Sequence, residues 1–120
     1  MTNVVMLAKN RDRLTYQAVK SLKDNTDPAM YTLTLVDDGG DDPLSDQLIE
    51  WFQWHGEEAQ PNWVTVRITP SKGIVGLARN IGIAFSEQYW GRGDWLYLSD
   101  NDVAFFPDWL PLMTNNMGMA

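Results

Sequence analysis

Leu96-Tyr97-Leu98-Ser99-Asp100-Asn101-Asp102-Val103-Ala104-Phe105-Phe106-Pro107-Asp108 is the stretch around which this chain is organised. An apolar run ends in a pair of carboxylates, and a short apolar segment then leads to a Pro-Asp helix start. At the end of an extended strand, residues i and i+2 point the same way. Asp100 and Asp102 are therefore expected to face one site together. Two close carboxylates repel unless a proton or a cation lies between them. A hard divalent cation with phosphate oxygens as its remaining ligands suits such a pair, because Mg²⁺ is commonly held by one or two carboxylates plus substrate phosphates. The plainer alternative is a polar turn.

Composition narrows the field. The 120 residues suffice for one domain with a core, and a 44% hydrophobic content argues against disorder. A net charge of −7 disfavours a general nucleic-acid binder, which needs a basic face. The chain has no cysteine, which removes disulfides, thiolate zinc sites and a thiol nucleophile, and fits a cytoplasmic setting. The first ten residues turn polar too soon for a signal peptide. No apolar run approaches the roughly 20 residues of a membrane span.

Working outward, residues 3–8 form a continuous apolar run, the signature of a buried parallel strand. Asn10 or Asp12 is placed to cap the next helix, with Leu14, Ala18, Val19 and Leu22 on its apolar face. Residues 31–36 read as a second strand, ending in the acidic, glycine-containing run 37–43. A second helix is expected from Pro43, capped by Asp42, with Leu44, Leu48, Ile49 and Phe52 inward. Residues 64–68 alternate as a third strand. A third helix over 74–88 carries Leu77, Ala78, Ile81 and Phe85, with Gly76 and Gly82 inside it. Residues 94–98 form a fourth strand, and 107–113 a short helix.

Strand and helix alternate, which predicts an α/β fold: a mostly parallel sheet with right-handed crossovers and helices on both faces, in three α/β/α layers. Ligands of such sheets sit beyond the carboxyl ends of the strands, near the reversal of strand order. Three polar loops, residues 9–13, 37–42 and 99–102, are expected there.

Read together, these loops resemble the family 2 glycosyltransferases, which have the Rossmann-like nucleotide-diphospho-sugar-binding (GT-A) fold. Ala8-Lys9-Asn10-Arg11 resembles the family's first-strand loop around the nucleotide base. Leu35-Val36-Asp37-Asp38-Gly39-Gly40 is similar to its Val-Asp-Asp-Gly-Ser segment, with Gly40 where serine is usual. The run from Gly73 through Ala78-Arg79-Asn80 to Gly82 is similar to its Gly-x-x-x-Ala-Arg-Asn-x-Gly helix. Ser99-Asp100-Asn101-Asp102 with Pro107-Asp108-Trp109-Leu110 resembles the Asp-x-Asp metal motif and the helix after it. The resemblance covers the chain to about Leu112 and implies one donor-binding domain over residues 1–120.

The resemblance implies roles. Ala8, Asn10, Arg11, Asp37, Asp38, Lys72, Arg79 and Asp100 are the expected nucleotide-binding residues. Asp37 or Asp38 would accept a hydrogen bond from a uracil-like N–H, since a carboxylate only accepts. Lys72 and Arg79 would approach the diphosphate or the base. Asp100 and Asp102 would hold Mg²⁺ or Mn²⁺, while Asn101 points away. The implied function is inverting transfer from a nucleoside-diphosphate sugar, a UDP-sugar, to an acceptor glycan or other hydroxyl compound. An inverting reaction also needs a carboxylate base, yet no acidic residue follows Asp108. The alternative is a truncated, non-catalytic nucleotide- or partner-binding module, and exposed apolar surface on it would favour self-association. His55 reads as a surface residue, and Trp51, Trp54 and Trp63 as packing residues.

Overall fold

The computed structural model describes residues 1–9, 11–39, 44–54, 62–68 and 75–118. In order they form β1 (Thr2–Ala8), α1 (Asp12–Asp24), a 3₁₀ turn (Pro28–Met30), β2 (Tyr31–Asp37), α2 (Asp46–Trp54), β3 (Trp63–Arg67), α3 (Val75–Trp90), β4 (Trp95–Asp100) and α4 (Trp109–Gly118). The strands build one sheet in the order β3-β2-β1-β4, and every pair runs parallel. The first three strands step outward from β1 in one direction. β4 then returns to the other side of β1, so the strand order reverses between β1 and β4.

Each face of β1 is covered. Val4, Met6 and Ala8 join Leu33 and Leu35 under Ala18 and Leu22 of α1, Phe52 of α2 and Trp109 of α4. The opposite face, through Val5 and Val36, meets Ala78 of α3. The expected three-layer α/β/α arrangement is therefore present. Trp63 is a packing residue as read: it is buried and stacks on Phe52 with ring centroids 4.9 Å apart. Trp51 and Trp54 have side chains outside the described set, and His55 lies outside the described residues.

Tyr31 sits at the start of β2, fully enclosed, and its hydroxyl accepts a hydrogen bond from Trp63 Nε1 at 3.1 Å. Burial pushes its phenol above the ordinary value of 10.0, outweighing the hydrogen bond from Trp63. A raised phenol keeps its proton in the folded chain when the unfolded chain has already lost it. Stability from this group is therefore complete below pH about 10 and falls as pH rises through the folded value. Urea unfolding measured across that range should show the decline. Tyr31→Phe should flatten the Tyr31 contribution.

Several details differ from the sequence reading. The inward face of α3 is Ala78, Gly82 and Ser86, one residue per turn, while Leu77 is 42% exposed. A Cβ on Gly82 would lie 2.5 Å from Val36 Cγ2 and 2.9 Å from Val5 Cγ1. The small-residue line thus lets α3 settle directly on β1 and β2, with Ile81 packed beside it and Leu77 turned outward. α2 starts at Asp46, not at Pro43, because Ser45 Oγ accepts from the Leu48 N–H at 3.1 Å and caps the helix. Asp42 and Pro43 lie outside the described residues. α1 has Arg11 as its N-cap with no side-chain cap bond. Asp12, read as a cap, instead accepts from the Ser45 N–H at 3.1 Å and ties α1 to the entry of α2. Thr15 is buried where Leu14 was expected. α3 continues through Trp90 and ends at Gly91, whose φ of 84° is the left-handed helix stop. α4 runs on to Gly118, with Pro111 tolerated in its first turn.

Candidate nucleotide and metal site

The carboxyl ends of β1 and β4 open into one cavity of about 370 Å³, lined by Leu7, Lys9, Arg11, Asp100, Asn101 and Asp102. It lies at the reversal of strand order, where a parallel sheet leaves room for a ligand. The register explains the meeting: Leu7 of β1 stands opposite Asp100 of β4.

Below the motif the chain is fixed by its aromatic residues. Phe105 and Trp109 pack at 4.7 Å between centroids, and Tyr97 lies 5.1 Å from Trp109. Trp109 Nε1 donates to Thr26 Oγ1 at 2.7 Å. The Phe105 N–H donates to Ser21 Oγ, and its carbonyl accepts from Asn25 Nδ2, both at 2.9 Å. The apolar segment after Asp102 is thereby sewn onto α1, which holds the motif loop in place. Asn101 Nδ2 donates to Thr15 Oγ1 at 2.9 Å. Its amide is thus engaged by α1, while Asp100 and Asp102 stay exposed at the cavity.

The end of β2 is built differently. Asp37 is fully buried; its Oδ2 accepts from Arg67 Nε at 2.9 Å and from the Leu44 N–H at 3.2 Å, and its Oδ1 accepts from the Gly39 N–H at 3.1 Å. Arg67 Nη2 in turn donates to the Leu44 carbonyl at 2.9 Å. Asp37 and Arg67 are register partners on β2 and β3. Asp38, 4% exposed, donates its backbone N–H to the Ala8 carbonyl at 2.9 Å. Ala8 is buried, and its carbonyl is committed to the β1–β2 junction. Arg79 reaches from α3 to the motif, with Nη2 donating to Asp100 Oδ1 at 3.0 Å.

Of the expected site residues, Arg11, Asp100 and Asp102 therefore share the cavity, and Arg79 joins them through Asp100. Ala8 at the end of β1, and Asp37 and Asp38 at the neighbouring β2 end, do not line that cavity. Asn10 and Lys72 lie outside the described residues. Sequence reading missed Arg67, whose signal was its parallel register with Asp37. It also gave no special place to Lys9, a second cation at the cavity.

The donor set fits a hard divalent cation. It presents two exposed carboxylates and no nitrogen or sulfur ligand. Among the described residues no group of three or more His, Cys, Asp or Glu side chains gathers to cage a metal by itself. Such a cation would need further oxygen ligands from phosphate or water.

Arg11 sits at the cavity with φ 63° and ψ 60°, a left-handed conformation that a non-glycine residue holds at a cost of about 1 kcal/mol or more. Arg11→Gly is expected to melt at the same temperature or a few degrees higher, because glycine holds that conformation without the cost. Thermal-melting measurements check it.

The four-stranded parallel sheet, its strand order and its helices give this chain an α/β fold of the GT-A type. The family profile described as Glycosyl transferase family 2 matches residues 3–118, and the chain belongs to that family. Among solved structures, S. aureus TarS 1-349 superimposes with a TM-score of 0.73 at 15% identity, covering 98% of this chain and 32% of that one. The complex of S. aureus TarS 1-349 with UDP-GlcNAc gives 0.72 at 15% identity, covering 99% and 32%. A further S. aureus TarS structure gives 0.74 at 16% identity, covering 98% and 19%. The chain thus spans about a third of the length of TarS 1-349. No curated protein sequence matches the chain. Among the described residues no helix is long and apolar enough to cross a membrane.

Proposed function

We propose that this chain binds a nucleoside-diphosphate sugar, a UDP-sugar, and serves inverting glycosyl transfer in the cytoplasm. One observation carries the reading: the β1/β4 cavity sets Lys9 and Arg11 beside Asp100 and Asp102. Cationic side chains beside a metal-holding carboxylate pair suit a diphosphate, for which a net charge of −7 offers little general attraction. The start of α1, which has no side-chain cap, adds backbone N–H groups beside Arg11. At the β2 end Asp38 would face the base, next to Asp37, which Arg67 and the Leu44 N–H hold in place. The relative crystallised with UDP-GlcNAc supports UDP as the nucleotide.

Asp100 and Asp102 would hold Mn²⁺ or Mg²⁺, which as a Lewis acid offsets charge building on the departing nucleoside diphosphate. In the transfer an acceptor hydroxyl oxygen bonds to the anomeric carbon as the bond to the diphosphate oxygen breaks. A base takes the hydroxyl proton. The alternative is a module that binds nucleotide or a partner without transfer. Incubation of the chain with UDP-sugars and Mn²⁺, followed by assay of released UDP, tests the pair: release supports the transferase, and tight binding without release supports the module.

A further inference from the structure

We infer that Arg79 makes divalent-cation binding depend on the nucleotide, by acting as the resident counter-ion of Asp100. The inference rests on the proposed diphosphate site and deepens it. Arg79 Nη2 holds Asp100 Oδ1 at 3.0 Å, and Arg79 Nε is buried without an acceptor among the described residues. The guanidinium is therefore under-satisfied by the described residues, and a phosphate oxygen would complete it. The ion pair itself is solvated, with side chains 37% and 57% exposed, so it contributes little to folding and is easily rearranged.

Charge counting shows the consequence. Lys9 and Arg11 line the cavity with Asp100 and Asp102, and Arg79 adds a third cation through its pair with Asp100. Among the described residues, three positive groups against two carboxylates give the nucleotide-free site a charge of +1, which repels a bare divalent cation. The diphosphate of a nucleotide sugar carries one negative charge per phosphate, about −2 in all. Its arrival turns the site negative and gives Arg79 another partner. Asp100 is then free to turn toward the cation. Nucleotide and cation should therefore strengthen one another reciprocally.

The test is Mn²⁺ binding to the full chain, read from the free-ion electron paramagnetic resonance signal with and without UDP. Wild type should bind Mn²⁺ weakly alone and much more tightly with UDP. Arg79→Gln should bind Mn²⁺ alone about tenfold more tightly, the order expected for removing a unit charge a few ångströms away in a largely solvated site. Its UDP-induced gain should shrink by a similar factor or more. Arg79→Lys, which keeps the charge, should behave as wild type. The metal-alone gain should diminish as salt screens the site. Unchanged or weaker Mn²⁺ binding by Arg79→Gln, or Arg79→Lys matching Arg79→Gln, overturns the inference while the donor-site reading stands. Absence of any Mn²⁺–UDP coupling in wild type overturns both.

Discussion

Gly82→Ala is expected to destabilise the fold by about 1–3 kcal/mol, despite the roughly 1 kcal/mol that alanine normally adds in a helix. The new methyl would meet Val36 Cγ2 at 2.5 Å and Val5 Cγ1 at 2.9 Å. Both are β-branched strand residues with stiff side chains, so neither swings aside at low cost. Val36 and Val5 lie in the central strands, and their movement would push α3 off the sheet. Gly82→Val should exceed what a domain of this size withstands, since total stabilities lie near 5–15 kcal/mol. Gly76 is the internal control: a Cβ there meets nothing within 4 Å. Urea unfolding of the two alanine variants should therefore move in opposite directions. A Gly82→Ala midpoint at or above wild type would refute the close approach of α3.

Asp102→Asn should leave the fold nearly intact and weaken Mn²⁺-dependent UDP binding at least about thirtyfold, the order of losing one charge-assisted ligand worth ~2 kcal/mol. Asp102 is exposed, in the bend after β4, so its removal opens no cavity and strands no buried partner. The neutral amide keeps the shape but loses the charge that a hard cation requires. Titration of UDP at saturating Mn²⁺ reads the effect. Unchanged affinity would take Asp102 out of the site.

Much of this architecture was legible in the sequence because strand and helix periods differ and each strand ends in a polar loop. The runs 3–8 and 31–36 are buried on both faces and read as parallel strands, and so they are. The gathering of the 9–13 and 99–102 loops followed from the parallel alternation alone. What failed was part of the face of α3. Periodicity found Ala78 and Ile81 but weights large apolar residues, so it also selected Leu77 and passed over Gly82 and Ser86. Close packing rewards absence of side chain, which a hydrophobic pattern does not register. The entry to α2 misled for a related reason. Pro43 and Asp42 are sound helix-start signals, but Ser45 lies closer and satisfies the Leu48 N–H directly. At the site, Asp100 and Asp102 were visible from spacing. The grip of Arg67 on Asp37, and of Arg79 on Asp100, needed the strand order and helix placement before it had a meaning.

The proposed function stands on a metal-assisted diphosphate site at the β1/β4 crevice. Calorimetric titration of UDP into the purified chain, with and without Mn²⁺, is the test of that site. Binding that requires Mn²⁺ is the predicted result. Absence of binding under both conditions, or equal binding without the metal, would contradict the account.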